Sequence, residues 1–274
     1  MCKICTGEIC KQNLKILTEL NVVNCSNLTS EKLQEVLIQC KNLVKLRCSF
    51  CTSLTSLDLR SNINLKTLWC DNCTSLTNLD LRSSSEGVTS KGCIKLKELW
   101  CSSCTSLTSL DLRNNINLTR LYCHSCISLT SLDLRNNKNL SALYCSSCTS
   151  LTSLDLRSNI KLKTLVCYSC RFLTNLYLRN NINLTTLECS ECTSLTSLDL
   201  TKEYDGYIDY SKCPWIYQNK YFSINLQKLI RMQRWYKRML IIKYMKSKQF
   251  IEWIYSPDNI GGRLYKKWLL KNLK

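Results

Sequence analysis

The chain of 274 residues carries 38 Lys/Arg against 20 Asp/Glu, a net charge of +18, with 45% apolar residues, 21 Cys, 6 Gly and 2 Pro. That apolar content supports a sizeable core and excludes wholesale disorder. So few Gly and Pro exclude an ordinary loop-rich fold, so other residues must make the turns. The charge is lopsided: residues 1–200 hold 22 basic against 15 acidic groups and residues 201–274 hold 16 against 5, which sets a composition break near residue 201.

Met1 to Leu20 lacks the continuous apolar run of a secretory signal. The longest apolar stretch of the tail, Met239–Ile242, is far short of the ~20 residues a membrane span needs. The expectation is an intracellular, cytosol-like reducing compartment, with no transmembrane segment and the cysteines kept as thiols. Cys2, Cys5 and Cys10 are the better metal candidates among them but have no evident fourth ligand.

Leu17, Leu20, Val22 and Cys25 fit the pattern LxxLxLxxC and predict a strand. Leu33, Val36 and Leu37 within Leu28–Cys40 have helical spacing, with Ser30 as the expected N-cap. Strand and helix together predict a cap over the open end of the next segment.

That next segment is a repeat. LTSLDLR starts at Leu54, Leu107, Leu129 and Leu151, and close variants start at Leu76, Leu173 and Leu195. All steps are 22 residues except the 31 from Leu76 to Leu107, where about Ser83–Lys91 is inserted as a polar loop. Each unit splits into two halves of 11, LxxLDLRxN and LxxLxCxxC, as in Leu54–Asn62 and Leu65–Cys73. Leu at places 1, 4 and 6 of a half points inward, and one coil buries that face only by stacking on the next.

These motifs resemble the leucine-rich-repeat family, in its nested form with the pattern in both halves, over about residues 14–200. The resemblance implies a mainly β solenoid with short strands on both sides of each 22-residue coil, a short N-terminal helix and an α-helical C-terminal segment. It divides the chain into a solenoid at 1–200, with regular coils over 41–200, and a basic segment at 201–274. The Cys-rich repeats and basic tail together resemble leucine-rich-repeat proteins of large DNA viruses infecting amoebae, which implies a viral protein.

Two ladders are expected inside. Asn62, Asn115, Asn137, Asn159 and Asn181 occupy place 9 of the first half, where a buried amide pairs backbone groups of neighbouring coils; Ser84 takes that place where the insertion begins. Place 6 and place 9 of the second half give Cys70/Cys73, Cys101/Cys104, Cys123/Cys126, Cys145/Cys148 and Cys167/Cys170, with Cys48/Cys51 and Cys189/Cys192 at the ends. CxxC in isolation suggests zinc or a redox pair. Here the first Cys replaces an inward Leu and the second replaces Asn, so a structural ladder of small buried thiols is the expectation. Zinc held between two coils and regulatory disulfides are the alternatives; no metal and no cofactor are expected.

Surface columns come from the same register. Asp58, Asp80, Asp111, Asp133 and Asp155 run beside Arg60, Arg82, Arg113, Arg135 and Arg157, a charge-compensated lattice that reads as a solubilising face or as a surface for a charged partner. On the cysteine side place 5 reads Arg47, Trp69, Trp100, Tyr122, Tyr144, Val166, Glu188, flanked by Asp71, Glu98, Arg120, His124 and Tyr168. Trp, Tyr and Arg are enriched in binding hot spots. The candidate binding residues are therefore Trp69, Trp100, Arg120, Tyr122, His124, Tyr144 and Tyr168, against the alternative that the rings only stack across strands.

After Thr201 the register is lost, and residues 201–220 read as a connector. Ser223 to Lys248 is amphipathic and basic, and a last short basic helix is expected over Leu264–Asn272. The tail reads as a cap on the last coil, as a calmodulin-type target, or as a contact for anionic membrane or nucleic acid. Leu226-Gln227 with Arg231, and Met232-Gln233 with Lys237, resemble the start of an IQ motif without its Gly.

One His, His124, and no GxSxG, HExxH or Gly-rich phosphate loop argue against an enzyme. The functional expectation is a protein–protein interaction scaffold. The family resemblance implies, as the alternative, a substrate adaptor for ubiquitin ligation, although about 16 residues before the first repeat leave no room for an F-box.

Overall fold

The computed structural model of the protein describes residues 4, 14–82, 92–200 and 206–213. They all fall in the unit Met1–Gln218; the unit Asn219–Lys274, with the expected basic helices and IQ-like segments, lies outside them, as do Ser83–Lys91 and Cys2, Cys5 and Cys10.

The strands are three residues each, in chain order β1 (Glu19–Asn21), β2 (Lys45–Arg47), β3 (Ser56–Asp58), β4 (Thr67–Trp69), β5 (Asn78–Asp80), β6 (Glu98–Trp100), β7 (Arg120–Tyr122), β8 (Ala142–Tyr144), β9 (Ser153–Asp155), β10 (Thr164–Val166), β11 (Asn175–Tyr177), β12 (Thr186–Glu188), β13 (Ser197–Asp199) and β14 (Tyr207–Asp209). They coil as a parallel β-solenoid. The cysteine halves form one nine-stranded sheet, β1-β2-β4-β6-β7-β8-β10-β12-β14. At the parallel ladder spacing it is on the order of 40 Å long. The LDLR halves form two smaller sheets on the other side, β3-β5 and β9-β11-β13.

Register is set by burial. The middle residue of each strand is the Leu at place 4, so Leu46, Leu68, Leu99, Leu121, Leu143, Leu165 and Leu187 lie side by side, all fully buried. A slip of one residue would turn every such Leu to solvent. Burying each stabilises by about 1.5–3 kcal/mol.

The LDLR side is looser in the middle. Among the described residues no strand is assigned at 109–111 or 131–133. A cleft of about 440 Å³ opens there between Asp80, Asp111 and Asp133.

The helix α1 spans Ser30–Leu37 and buries Leu33, Val36 and Leu37. Its N-cap is Thr29, not Ser30: Thr29 Oγ1 accepts from Lys32 N at 3.4 Å. Ser30 is freed for another role, its Oγ accepting from Thr55 N at 3.0 Å and Ser56 N at 2.9 Å. The helix thereby satisfies the edge of β3 and takes the LDLR place in the first coil.

The sequence expectation of a connector past Thr201 is replaced by one more half-coil. Ile208 lies beside Leu187 through the β12–β14 pairing, and Cys213 Sγ donates to Cys189 O at 3.0 Å. Tyr210 stands where other coils carry the first Cys, and that substitution hides the pattern from the repeat.

The turns of the cysteine half work without Gly, whereas Gly92, before Cys93 on the LDLR side, has φ 54°. Place 8 of the cysteine half has positive φ in every described coil, at Asn24, Phe50, Asn72, Ser103, Ser125, Ser147, Ser169, Glu191 and Lys212. From Asn24 to Glu191 each such N–H bonds the next coil, as in Ser103 N to His124 O at 2.8 Å and Ser125 N to Ser146 O at 2.7 Å. These cross-coil bonds offset the cost of a left-handed non-Gly residue, about 1–2 kcal/mol.

Candidate functional site

The two ladders do the same work on opposite sides of the core. Asn137 Nδ2 donates to Leu112 O at 3.0 Å and Asn115 O at 2.9 Å, and Asn159 and Asn181 repeat the pair one and two coils on. Asn62 donates to Leu37 O and Cys40 O, and Asn115 to Cys93 O. Cys93, after the insertion, therefore takes the place assigned in sequence to Ser84, which lies outside the described residues. Its Sγ donates to Leu59 O at 3.2 Å.

On the cysteine side Cys51 donates to Val22 O at 3.1 Å, and the second Cys of each later pair donates to the carbonyl of the first Cys one coil back. The bonds are Cys73 to Cys48, Cys104 to Cys70, Cys126 to Cys101, Cys148 to Cys123, Cys170 to Cys145 and Cys192 to Cys167, each at 3.1 Å. All these cysteines are thiols rather than disulfides and are fully buried. The adjacent Cys126 thiol, and then burial, push the Cys101 thiol well above the ordinary range; burial pushes Cys93 up to about 12. Among the described residues no group of three or more His, Cys, Asp or Glu is placed to hold a metal ion.

The Asp/Arg columns pair within coils. Arg113 gives its backbone N–H and Nε to Asp111 Oδ1 at 3.1 and 3.0 Å and its Nη2 to Oδ2 at 2.7 Å. The same rung recurs at Asp58/Arg60, Asp80/Arg82, Asp133/Arg135 and Asp155/Arg157. Hydrogen bonds from Arg135 hold the Asp133 carboxyl down to about 2. Arg60 also reaches Asp80 of the next coil at 3.6 Å. Tyr177 interrupts the Asp column, with Arg157 Cζ 5.3 Å from its ring centre.

The aromatic column is the unusual surface. Trp69, Trp100, Tyr122 and Tyr144 sit in register on β4, β6, β7 and β8, each half-buried. Arg47 Cζ lies 4.5 Å over the Trp69 ring. Trp100 stacks on Tyr122 with ring centres 3.7 Å apart, and Tyr122 on Tyr144 at 4.6 Å, nearly parallel. Faces are thus spent on neighbours, and ring edges are what the sheet offers outward. Trp100 Nε1 is buried with no hydrogen-bond partner.

The flanks join this strip. Arg120 pairs with Glu98 at 2.6 Å. Tyr168 is 43% exposed. His124 is exposed, and its Nδ1 lies 2.8 Å from Ser102 Oγ. Asp71 accepts from Ser102 N at 3.0 Å and from Ser49 Oγ at 3.5 Å. The sequence placed Asp71 and His124 on the flanks of the strip, but their link through Ser102, at place 7 of successive coils, comes only from the geometry. Burial raises the Asp71 carboxyl above its ordinary range. Asp71 contacts Ser102, not the imidazole, and Ser102 is 2% exposed. The row is therefore not assembled as nucleophile, base and orienting acid.

No family model matches the chain, and no curated protein does. Solved structures do. The leucine-rich-repeat domain of the type III effector XCV3220 (XopL) matches with a TM-score of 0.53 and 21% identity, covering 70% of this chain and 67% of that one. The functional domain of InlJ from Listeria monocytogenes, described as including a cysteine ladder, is 25% identical with a TM-score of 0.34. That match covers 76% of this chain, which spans little more than half, 56%, of InlJ. Internalin C2 of the same organism is 20% identical with a TM-score of 0.40, covering 69% of this chain and 82% of that one. The fold is a leucine-rich-repeat solenoid.

Proposed function

We propose that this leucine-rich-repeat solenoid is a non-enzymatic scaffold that binds a protein partner with the aromatic strip of its nine-stranded sheet. The observation that carries the reading is the in-register column Trp69, Trp100, Tyr122, Tyr144, half-buried, with the last three fixed by stacking and Trp69 held under Arg47. Rigid rings lose little conformational freedom on binding, which favours them as anchors. Arg120, His124 and Tyr168 supply the polar rim around them. The Asp/Arg face is a weaker candidate because its charges already satisfy one another, and exposed pairs contribute only ~0–1 kcal/mol each.

A reducing, intracellular setting suits the free thiols of the ladder, and the sequence texture that resembles amoebal-virus proteins suggests such a host. The test is crosslinked capture from that host with the intact chain, a chain carrying Trp69→Ser, Trp100→Ser, Tyr122→Ser and Tyr144→Ser, and a chain carrying Arg113→Ser and Arg135→Ser. Loss of a specific partner by the folded aromatic variant alone supports the reading. Retention of all partners by that variant removes the strip as the site, and loss with the Arg variant moves the site to the other face.

A further inference from the structure

The two turn edges of each coil share the bond from the place 1 N–H back to the place 9 carbonyl, as in Leu65 N to Asn62 O and Leu76 N to Cys73 O, both at 3.0 Å, and carry different side chains. On the edge after the cysteine half, places 10 and 2 carry small polar residues in most coils, such as Thr74 and Thr77, or Thr105 and Thr108. On the edge after the LDLR half, place 10 carries Ile63, Ile94, Ile116, Ile160 and Ile182, with Lys138 between them. Four of these Ile are 44%, 46%, 52% and 77% exposed. Since Thr serves the equivalent turn on the opposite edge, the turn itself does not require Ile.

Place 2 makes the same point for charge. Where it is Thr or Ser, the hydroxyl donates to the preceding coil, as Thr119 Oγ1 does to Lys97 O at 2.9 Å and Ser141 Oγ to Thr119 O at 2.9 Å. Lys66, Lys97 and Lys163 forgo that bond and stand exposed. Lys95 and Lys161 reach only neutral partners, Asn64 Oδ1 and Asn139 Oδ1, both at 2.7 Å. From place 9 to place 2 the segments NINLK, CIKLK, NINLT, NKNLS, NIKLK and NINLT contain no acid. Glu98, just beyond, is tied to Arg120.

We infer that this edge is a docking surface for an anionic lipid bilayer. A column of Ile side chains at the ~4.8 Å coil spacing, broken once by Lys138 and set among uncompensated lysines, fits a surface with negative headgroups over an apolar interior. A phosphate backbone would use the lysines and leave the Ile without a role. The surface is separate from the aromatic strip, so the two assignments stand or fall independently.

The test uses full-length protein and phosphatidylcholine vesicles with and without phosphatidylserine. Combining Ile63→Ser, Ile116→Ser, Ile160→Ser and Ile182→Ser keeps every lysine, including those of the tail, and is expected to weaken sedimentation with the anionic vesicles by at least ~10-fold. Ile116→Trp is expected to gain quenching by brominated lipid chains, whereas Ile127→Trp, on the opposite edge, is not. Unchanged binding by the Ser variant, equal quenching at the two Trp sites, or binding to duplex nucleic acid without binding to vesicles would each overturn the inference.

Discussion

Cys126 donates its thiol to the carbonyl oxygen of Cys101, one coil back, at 3.1 Å. The bond joins the place that replaces an inward Leu to the place that replaces Asn, and only the second is the donor. Cys126→Ala leaves the buried Cys101 carbonyl without its partner and is expected to cost about 1–3 kcal/mol. Chemical denaturation measures it. Asn137→Ala removes donors from two carbonyls and is expected to cost more than Cys126→Ala in the same assay.

The left-handed turn residues give a prediction of opposite sign. Ser125 has φ 59°, a conformation that costs nothing for Gly. Ser125→Gly relieves about 1–2 kcal/mol of left-handed cost against about 0.5–1 kcal/mol of added unfolded-state entropy, so a net stabilisation of up to about 1 kcal/mol is expected, and Ser125→Val is expected to destabilise. A thermal melt of the pair against the parent reads both signs.

Thiol chemistry should separate the native chain from the unfolded one. All 18 described cysteines are buried, and burial holds Cys93 up at about 12. Burial bars a reagent from these thiols, so alkylation of the native chain at neutral pH is expected to spare all 18, which label only after unfolding. Peptide mass analysis locates the labels; rapid native labelling of any ladder Cys would contradict the buried arrangement.

Acid should loosen the LDLR side. Asp133 is held at about 2 by Arg135, below the ~3.9 of an unfolded Asp. A depressed folded pKa contributes stability that is present above ~4 and is lost as pH falls through about 2. The pair is largely exposed, so its share is within ~0–1 kcal/mol. Arg135→Gln is expected to flatten the fall in melting temperature over that window and to leave the melt at neutral pH nearly unchanged.

Much of this fold is written in the repeat. The inward Leu places, the two ladders and strands on both sides come from a 22-residue step whose halves share one pattern. The features that stayed hidden have physical causes. Counting forward from Leu76 puts Ser84 on the Asn ladder, but the inserted loop lets the ladder resume with Cys93, whose thiol serves as donor instead. β14 escaped because Tyr210 replaces a Cys and the step shortens by one residue. The left-handed turns of the cysteine half carry no Gly to announce them, since cross-coil bonds sustain Ser and Asn there. The Ser102–His124 contact joins two coils at one place, a relation visible only once columns are treated as neighbours. For the candidate site, the column of rings was legible, while their mutual stacking, which turns edges outward, needed the geometry.

The most direct test of the binding surface is hydroxyl-radical footprinting of the full chain with and without its captured partner. Protection concentrated at Trp69, Trp100, Tyr122 and Tyr144, with Tyr177 on the opposite side unchanged, is the predicted result. Protection at Tyr177 with the four strip rings as reactive as in the free chain would contradict it.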